Sequence, residues 1–154
     1  MDLLLLEFAV NDGGVCTADN QRLQAMESLS RKARRANSAV DILVLYLADA
    51  DKMSAYRDRR EPLVITHHEQ VMAHYGIPVL NLALDMSRRI ETGRFVWSDF
   101  SGDSCHPSHS GTSSVWNASA PSSCPSGQTR RARRHWQRIR SRHRCFRIIW
   151  LRPA

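Results

Sequence analysis

The sequence predicts an α/β protein built on a doubly wound parallel sheet. Three observations lead there. Residues 3–10 and 41–48 are near-continuous apolar runs of strand length, a third short run follows at 79–81, and helix-period stretches separate and follow them. A strand covered on both faces reads as an unbroken apolar run rather than an alternation, which is the pattern of a parallel sheet. Repeated strand-then-helix units supply the crossovers that such a sheet needs.

The elements follow in order. Leu3 to Val10 is the first strand, stopped by Asn11-Asp12-Gly13-Gly14, a polar loop with turn chemistry. Thr17 or Asp19 caps a helix running through Asn37, with Leu23, Met26, Leu29 and Ala33 at helical spacing. Its other face carries Arg22, Arg31, Lys32, Arg34 and Arg35, read as a solvated basic face. Asp41 to Ala48 is the second strand. Asp49 and Asp51 after it read as a turn and helix cap in preference to a cation site, and residues 56–61 as an exposed charged connection. A helix runs from Pro62 to Tyr75, with proline in its first turn and Val64, Val71 and Met72 facing inward. Gly76 stops it, Val79 to Asn81 forms a third short strand, and Leu82 to Thr92 is a further helix stopped by Gly93. Residues 95–100 lead into a second loop, with Trp97 as a packing anchor.

The charge is unevenly shared. The first 111 residues hold 12 Lys and Arg against 15 Asp and Glu, a balance of −3, whereas residues 112–154 hold 10 Arg and no acid. The overall +7 therefore belongs to the tail, and averaging it over the chain would wrongly suggest a nucleic-acid-binding body. Cys16, Cys105, Cys124 and Cys145 form no C-x-x-C pair, which argues against a zinc or redox motif and leaves free thiols as the expectation. The leucine-rich start has an acidic second residue and is interrupted by Glu7, so it reads as a core strand and not an export signal. No apolar stretch approaches the ~18 residues of a membrane helix. The compartment is left open.

Two stretches carry chemistry. Asn11 and Asp12 would sit beyond the carboxyl end of a buried strand, where ligands bind in open α/β sheets. Asp103-Ser104-Cys105-His106-Pro107 places an Asp and a His three apart on a loop, the material for a general base and the carboxylate that orients it. Zinc on His67, His68, Glu69 and His74 is a tempting alternative. A zinc-binding H-E-x-x-H pair lies four apart on one helix face, whereas His68 and His74 lie six apart and His67 and His74 seven. These histidines read instead as surface or partly packed residues.

Together, Phe8-Ala9-Val10-Asn11-Asp12-Gly13 and Asp103-x-x-His106-Pro107 resemble the SGNH (GDSL-type) hydrolase family, with further likeness in His74-Tyr75-Gly76-Ile77-Pro78, Asn81-Leu82-Ala83 and Phe95-Val96-Trp97. The resemblance covers about residues 1–111 and matches the later part of the family's fold. It implies a three-layer, flavodoxin-like doubly wound sheet and a serine esterase, lipase or carbohydrate deacetylase acting on a small-molecule or carbohydrate ester. His106 would be the general base, Asp103 its orienting carboxylate and Asn11 an oxyanion donor, with no cofactor and no metal. Ala9 stands where the family's Asn block often carries Gly. The family's nucleophilic Ser and second oxyanion donor, a Gly, precede that block, yet none of the ten residues before Asn11 is Ser or Gly. The expectation is thus an N-terminally truncated fold with no nucleophile in this chain, inactive alone. Ser104 and Cys105 lie too close to His106 in sequence to serve well.

Beyond Gly111 the periodicity is lost. Residues 112–128 are rich in Ser, Pro, Ala and Thr, and residues 129–154 are an Arg-rich run with Trp136, Phe146, Ile148, Ile149 and Trp150. Two domains result: a partial hydrolase domain, 1–111, and a tail, 112–154, expected to be disordered or the product of a shifted reading frame. The rival reading is a non-catalytic protein that binds nucleic acid or an anionic membrane through Arg130 to Arg147, by counterion release and stacking.

Overall fold

The structure, a computed structural model, describes residues 3–13, 19–109, 111–112, 130–131, 134 and 137–138. Its centre is a three-stranded parallel sheet of β1 (Leu3–Leu6), β2 (Asp41–Tyr46) and β3 (Val79–Asn81), in the order β1-β2-β3. Leu3 pairs with Asp41 and Leu6 with Val44, and Val44 pairs in turn with Val79. Every residue of the central strand β2 is buried. The mixed α/β class with a parallel sheet is therefore as the apolar runs predict.

Between residues 19 and 100, five helices accompany the sheet: α1 (Asp19–Ala36), α2 (Ala50–Arg57), α3 (Leu63–Tyr75), α4 (Leu82–Glu91) and the single turn α5 (Trp97–Phe100). Local chemistry sets their ends. Asp49 accepts a hydrogen bond from the Lys52 N–H (2.8 Å) and Asn81 one from the Leu84 N–H (2.9 Å), each satisfying a donor with no partner inside its helix. Gly76 ends α3 in the left-handed region (φ 61°), which a residue with a Cβ adopts only at a cost.

Side-chain alternation along the strands divides the core in two. Leu4, Leu6, Ile42, Val44, Tyr46 and Val79 point to one face, where Met26, Val64, Ile65, Met72, Ala83, Met86 and Phe100 from the helices cover them. On the other face Leu3, Leu5, Leu43, Leu45 and Leu80 form a separate cluster, to which α1–α5 contribute no residue among those described. Asp41 shares this second face through its register with Leu3. It is fully buried, and Arg138 from the basic tail pairs with it at 2.7 Å. The described tail residues Arg130, Arg131, Arg134, Gln137 and Arg138 have helical backbone.

Several expectations change. β1 ends at Leu6, not Val10, because the chain turns on itself: the Asp12 N–H donates to the Phe8 carbonyl (2.8 Å). Arg22 is buried, not solvated, since its Nε donates to the Asp12 carbonyl at 2.9 Å and ties α1 to this turn. Tyr56 and Arg57 belong to α2 and Tyr56 is buried, leaving residues 58–61 as the exposed connection. His67 and His68 are buried, at 8% and 0% exposure, because α3 packs against α1 over the same face of the sheet, with the His68 ring 6.0 Å from that of Tyr46 in β2. Thr17, Cys16, Cys124, Cys145 and most of the tail lie outside the described residues.

Candidate active site

The carboxyl edge of the sheet gathers the loops that the sequence singles out. β1 runs into the turn holding Asn11 and Asp12. β2 runs through Leu47 and Ala48 to Asp49, and there the Ala50 N–H donates to the Ser104 carbonyl (2.8 Å), pinning the Asp-His loop to the same edge. Asn11 is exposed on this edge. It makes no hydrogen bond to the Asp-His pair among the described contacts.

The loop is built from its backbone inward. A bridge between Ser101 and Pro107 closes it, and the Ser108 N–H donates to the Phe100 carbonyl at 2.6 Å. Trp97, in aromatic contact with Phe100, donates its indole N–H to the Asp103 carbonyl at 3.1 Å. Ser101 Oγ accepts from the Asp103 N–H (3.1 Å) and lies 2.8 Å from the His106 carbonyl, to which it can donate. Gly111 passes so close to Phe100 that a Cβ there would lie 2.2 Å from its carbonyl oxygen, so only glycine fits the return of the chain.

Asp103 and His106 are brought together as the spacing predicts. Asp103 Oδ1 accepts from the backbone N–H groups of His106 (2.7 Å) and Cys105 (2.8 Å). Oδ2 faces His106 Nδ1 at 2.9 Å. The two backbone donors, with help from His106 and Ser101, hold the Asp103 carboxyl far below its usual range. A carboxylate fixed this way favours the Nδ1–H tautomer and leaves Nε2 as the basic nitrogen. The imidazole is 82% exposed, open to a reacting group from outside the loop.

Beneath the edge lies a polar network that no sequence motif announced. Lys52 is 2% exposed; its ammonium donates to the Ala9 carbonyl at 2.9 Å and pairs with Asp49 on the preceding turn. His68 Nε2 meets Asp12 Oδ2 at 3.1 Å, and burial holds its pKa below the ordinary value although Asp12 opposes the shift. Burial likewise raises the carboxyl pKa values of Glu7 and Glu69. Asn81 donates to the Tyr56 hydroxyl (2.9 Å), which donates to Glu61 (3.0 Å). The only available signals were the Asp49-to-Lys52 spacing of three and the polar residues following each strand. Cys105, next to His106 in sequence, has its Sγ 3.5 Å from His106 Nδ1, the nitrogen that faces Asp103.

The chain matches no protein-family model, no curated protein and no solved structure.

Proposed function

We propose that this chain carries the base-and-carboxylate half of an SGNH-type serine ester hydrolase site, on a flavodoxin-like doubly wound sheet, with the nucleophilic Ser supplied by a front segment of that fold. The observation that carries the reading is the Asp103–His106 contact of 2.9 Å on a loop pinned to the carboxyl edge of a parallel sheet. One further feature supports it: Asn11 occupies the neighbouring strand's exit on that edge.

In that reaction a Ser supplied by the front segment attacks the carbonyl carbon of an ester. His106 Nε2 takes the hydroxyl proton as the new C–O bond forms, and Asp103 stabilises the resulting imidazolium. Asn11 donates to the tetrahedral oxyanion, a role worth about 10²- to 10³-fold in rate. Collapse expels the alcohol with the proton from His106, and water releases the acyl group by the same steps in reverse.

The test is to fuse a Ser-bearing front segment of an SGNH hydrolase to this chain and follow hydrolysis of an aryl acetate. Hydrolysis that depends on both the added Ser and His106 is expected. Rates unchanged by His106→Ala would defeat the assignment.

A further inference from the structure

We propose that Asp103, Cys105 and His106 form a binding site for a thiophilic divalent cation of the Zn²⁺ type. One ligand atom from each residue lies within 4.8 Å of the other two. Cys105 is a free thiol whose Sγ stands 3.5 Å from His106 Nδ1, and Asp103 Oδ2 stands 2.9 Å from the same nitrogen. Zinc bonds of about 2.3 Å to sulfur and 2.0–2.1 Å to nitrogen make the S-to-N edge of a tetrahedral site about 3.6 Å. The sulfur and nitrogen already stand at that separation. The oxygen-to-nitrogen edge is about 3.3 Å in such a site, so Asp103 Oδ2 has to move out by about 0.4 Å as the cation replaces the Nδ1 proton.

The donor set suits the ion in other respects. A thiolate and a carboxylate together neutralise a dipositive charge, and the thiolate–imidazole–carboxylate combination selects zinc-like metals over the oxygen-seeking Mg²⁺ and Ca²⁺. Asp103 Oδ1 stays held by the backbone N–H groups of Cys105 and His106, which fixes the carboxylate while Oδ2 binds. The loop is exposed, so a water can complete the coordination. On binding, the thiol proton is released to solvent and the ring proton passes from Nδ1 to Nε2. Metal occupancy and the proton-accepting role of Nε2 therefore exclude one another. The site goes beyond the hydrolase reading and stands or falls without it.

The test uses the full-length reduced chain and Co²⁺ as a spectroscopic probe. One equivalent of Co²⁺ should bind with a thiolate-to-cobalt charge-transfer band that Zn²⁺ abolishes. Loss of an outer-shell partner alone costs about 10- to 100-fold in metal affinity, so Cys105→Ser and His106→Gln should each weaken Zn²⁺ binding at least tenfold. The band should persist in the triple variant Cys16→Ser, Cys124→Ser, Cys145→Ser. A readout that needs no variant is alkylation of Cys105 by iodoacetamide, followed by mass spectrometry, which saturating Zn²⁺ should slow at least tenfold. Absence of the band, its survival in Cys105→Ser, or unslowed alkylation of Cys105 would overturn the proposal. None of these readouts depends on ester hydrolysis, so failure of the metal site is distinguishable from failure of the enzyme assignment.

Discussion

Lys52 offers the sharpest test of how the carboxyl edge is held. Its side chain is 2% exposed, and one ammonium serves both the Ala9 carbonyl, two residues before Asn11, and the Asp49 carboxylate, itself only 12% exposed. Lys52→Met keeps most of the stem volume and removes the charge. Breaking a buried ion pair from one side costs about 3–5 kcal/mol, because the remaining carboxylate is left uncompensated. The orphaned Ala9 carbonyl adds a penalty of about 1–3 kcal/mol by itself. The two share one donor and are not summed, so the expected loss stays at about 3–5 kcal/mol. At roughly 2–4 °C per kcal/mol for a chain of this size, the melting temperature should fall by about 6–20 °C. Urea unfolding followed by far-UV circular dichroism measures the loss. The double variant Lys52→Met, Asp49→Asn is the control, since Asn still caps α2 and carries no charge. It should lose less than the sum of the single variants by about 0.5–3 kcal/mol. A Lys52→Met loss below about 1 kcal/mol, or strict additivity, would refute the picture of a single buried ammonium tying together the segments that leave β1 and β2.

Three other outcomes are expected. The Tyr46 hydroxyl is buried with no hydrogen-bond partner among the described residues, so Tyr46→Phe should raise stability by about 1 kcal/mol in the same urea assay; a loss would show that the hydroxyl is satisfied. His68 has its folded pKa depressed below 6.5 by burial, so the unfolded chain takes up a proton first as the pH falls. Stability should therefore drop as the pH is lowered from about 6.5 towards the folded value, and His68→Gln should flatten that part of a stability-versus-pH curve. In the fused hydrolase, Asp103→Asn should cut kcat by about 10⁴-fold through the wrong imidazole tautomer, and Asn11→Ala by about 10²- to 10³-fold; steady-state kinetics with kcat and KM resolved would show a KM-only effect if either residue merely binds substrate.

The sequence by itself determined the class of the fold and the core of the candidate site. Unbroken apolar runs such as Ile42 to Leu47 leave no polar face to expose, so a sheet covered on both sides is the only economical burial. The Asp103 and His106 pairing was legible because it is local: a spacing of three positions on one loop suffices, and the backbone N–H groups that fix the carboxylate come from the same loop. The cap at Asp49 was local in the same way, whereas Asn81, read only as the end of a strand, also caps α4.

Only the tertiary structure decided what depends on residues far apart in the chain. Lys52 meets Ala9 across 43 positions and His68 meets Asp12 across 56, and nothing in their neighbourhoods marks them as partners. A basic or imidazole side chain on an amphipathic helix reads as solvent-facing until a second element closes over it, which is why Arg22, His67 and His68 turned out buried. The exit of β1 was decided likewise, by the turn from Phe8 to Asp12 that Arg22 and His68 hold in place. Arg138 shows the same rule at the other end of the chain, where one arginine of a run that composition alone assigns to solvent meets the buried carboxylate of Asp41. Periodicity reports which face of an element is apolar; long-range packing determines which polar groups on the remaining faces are carried inside with it.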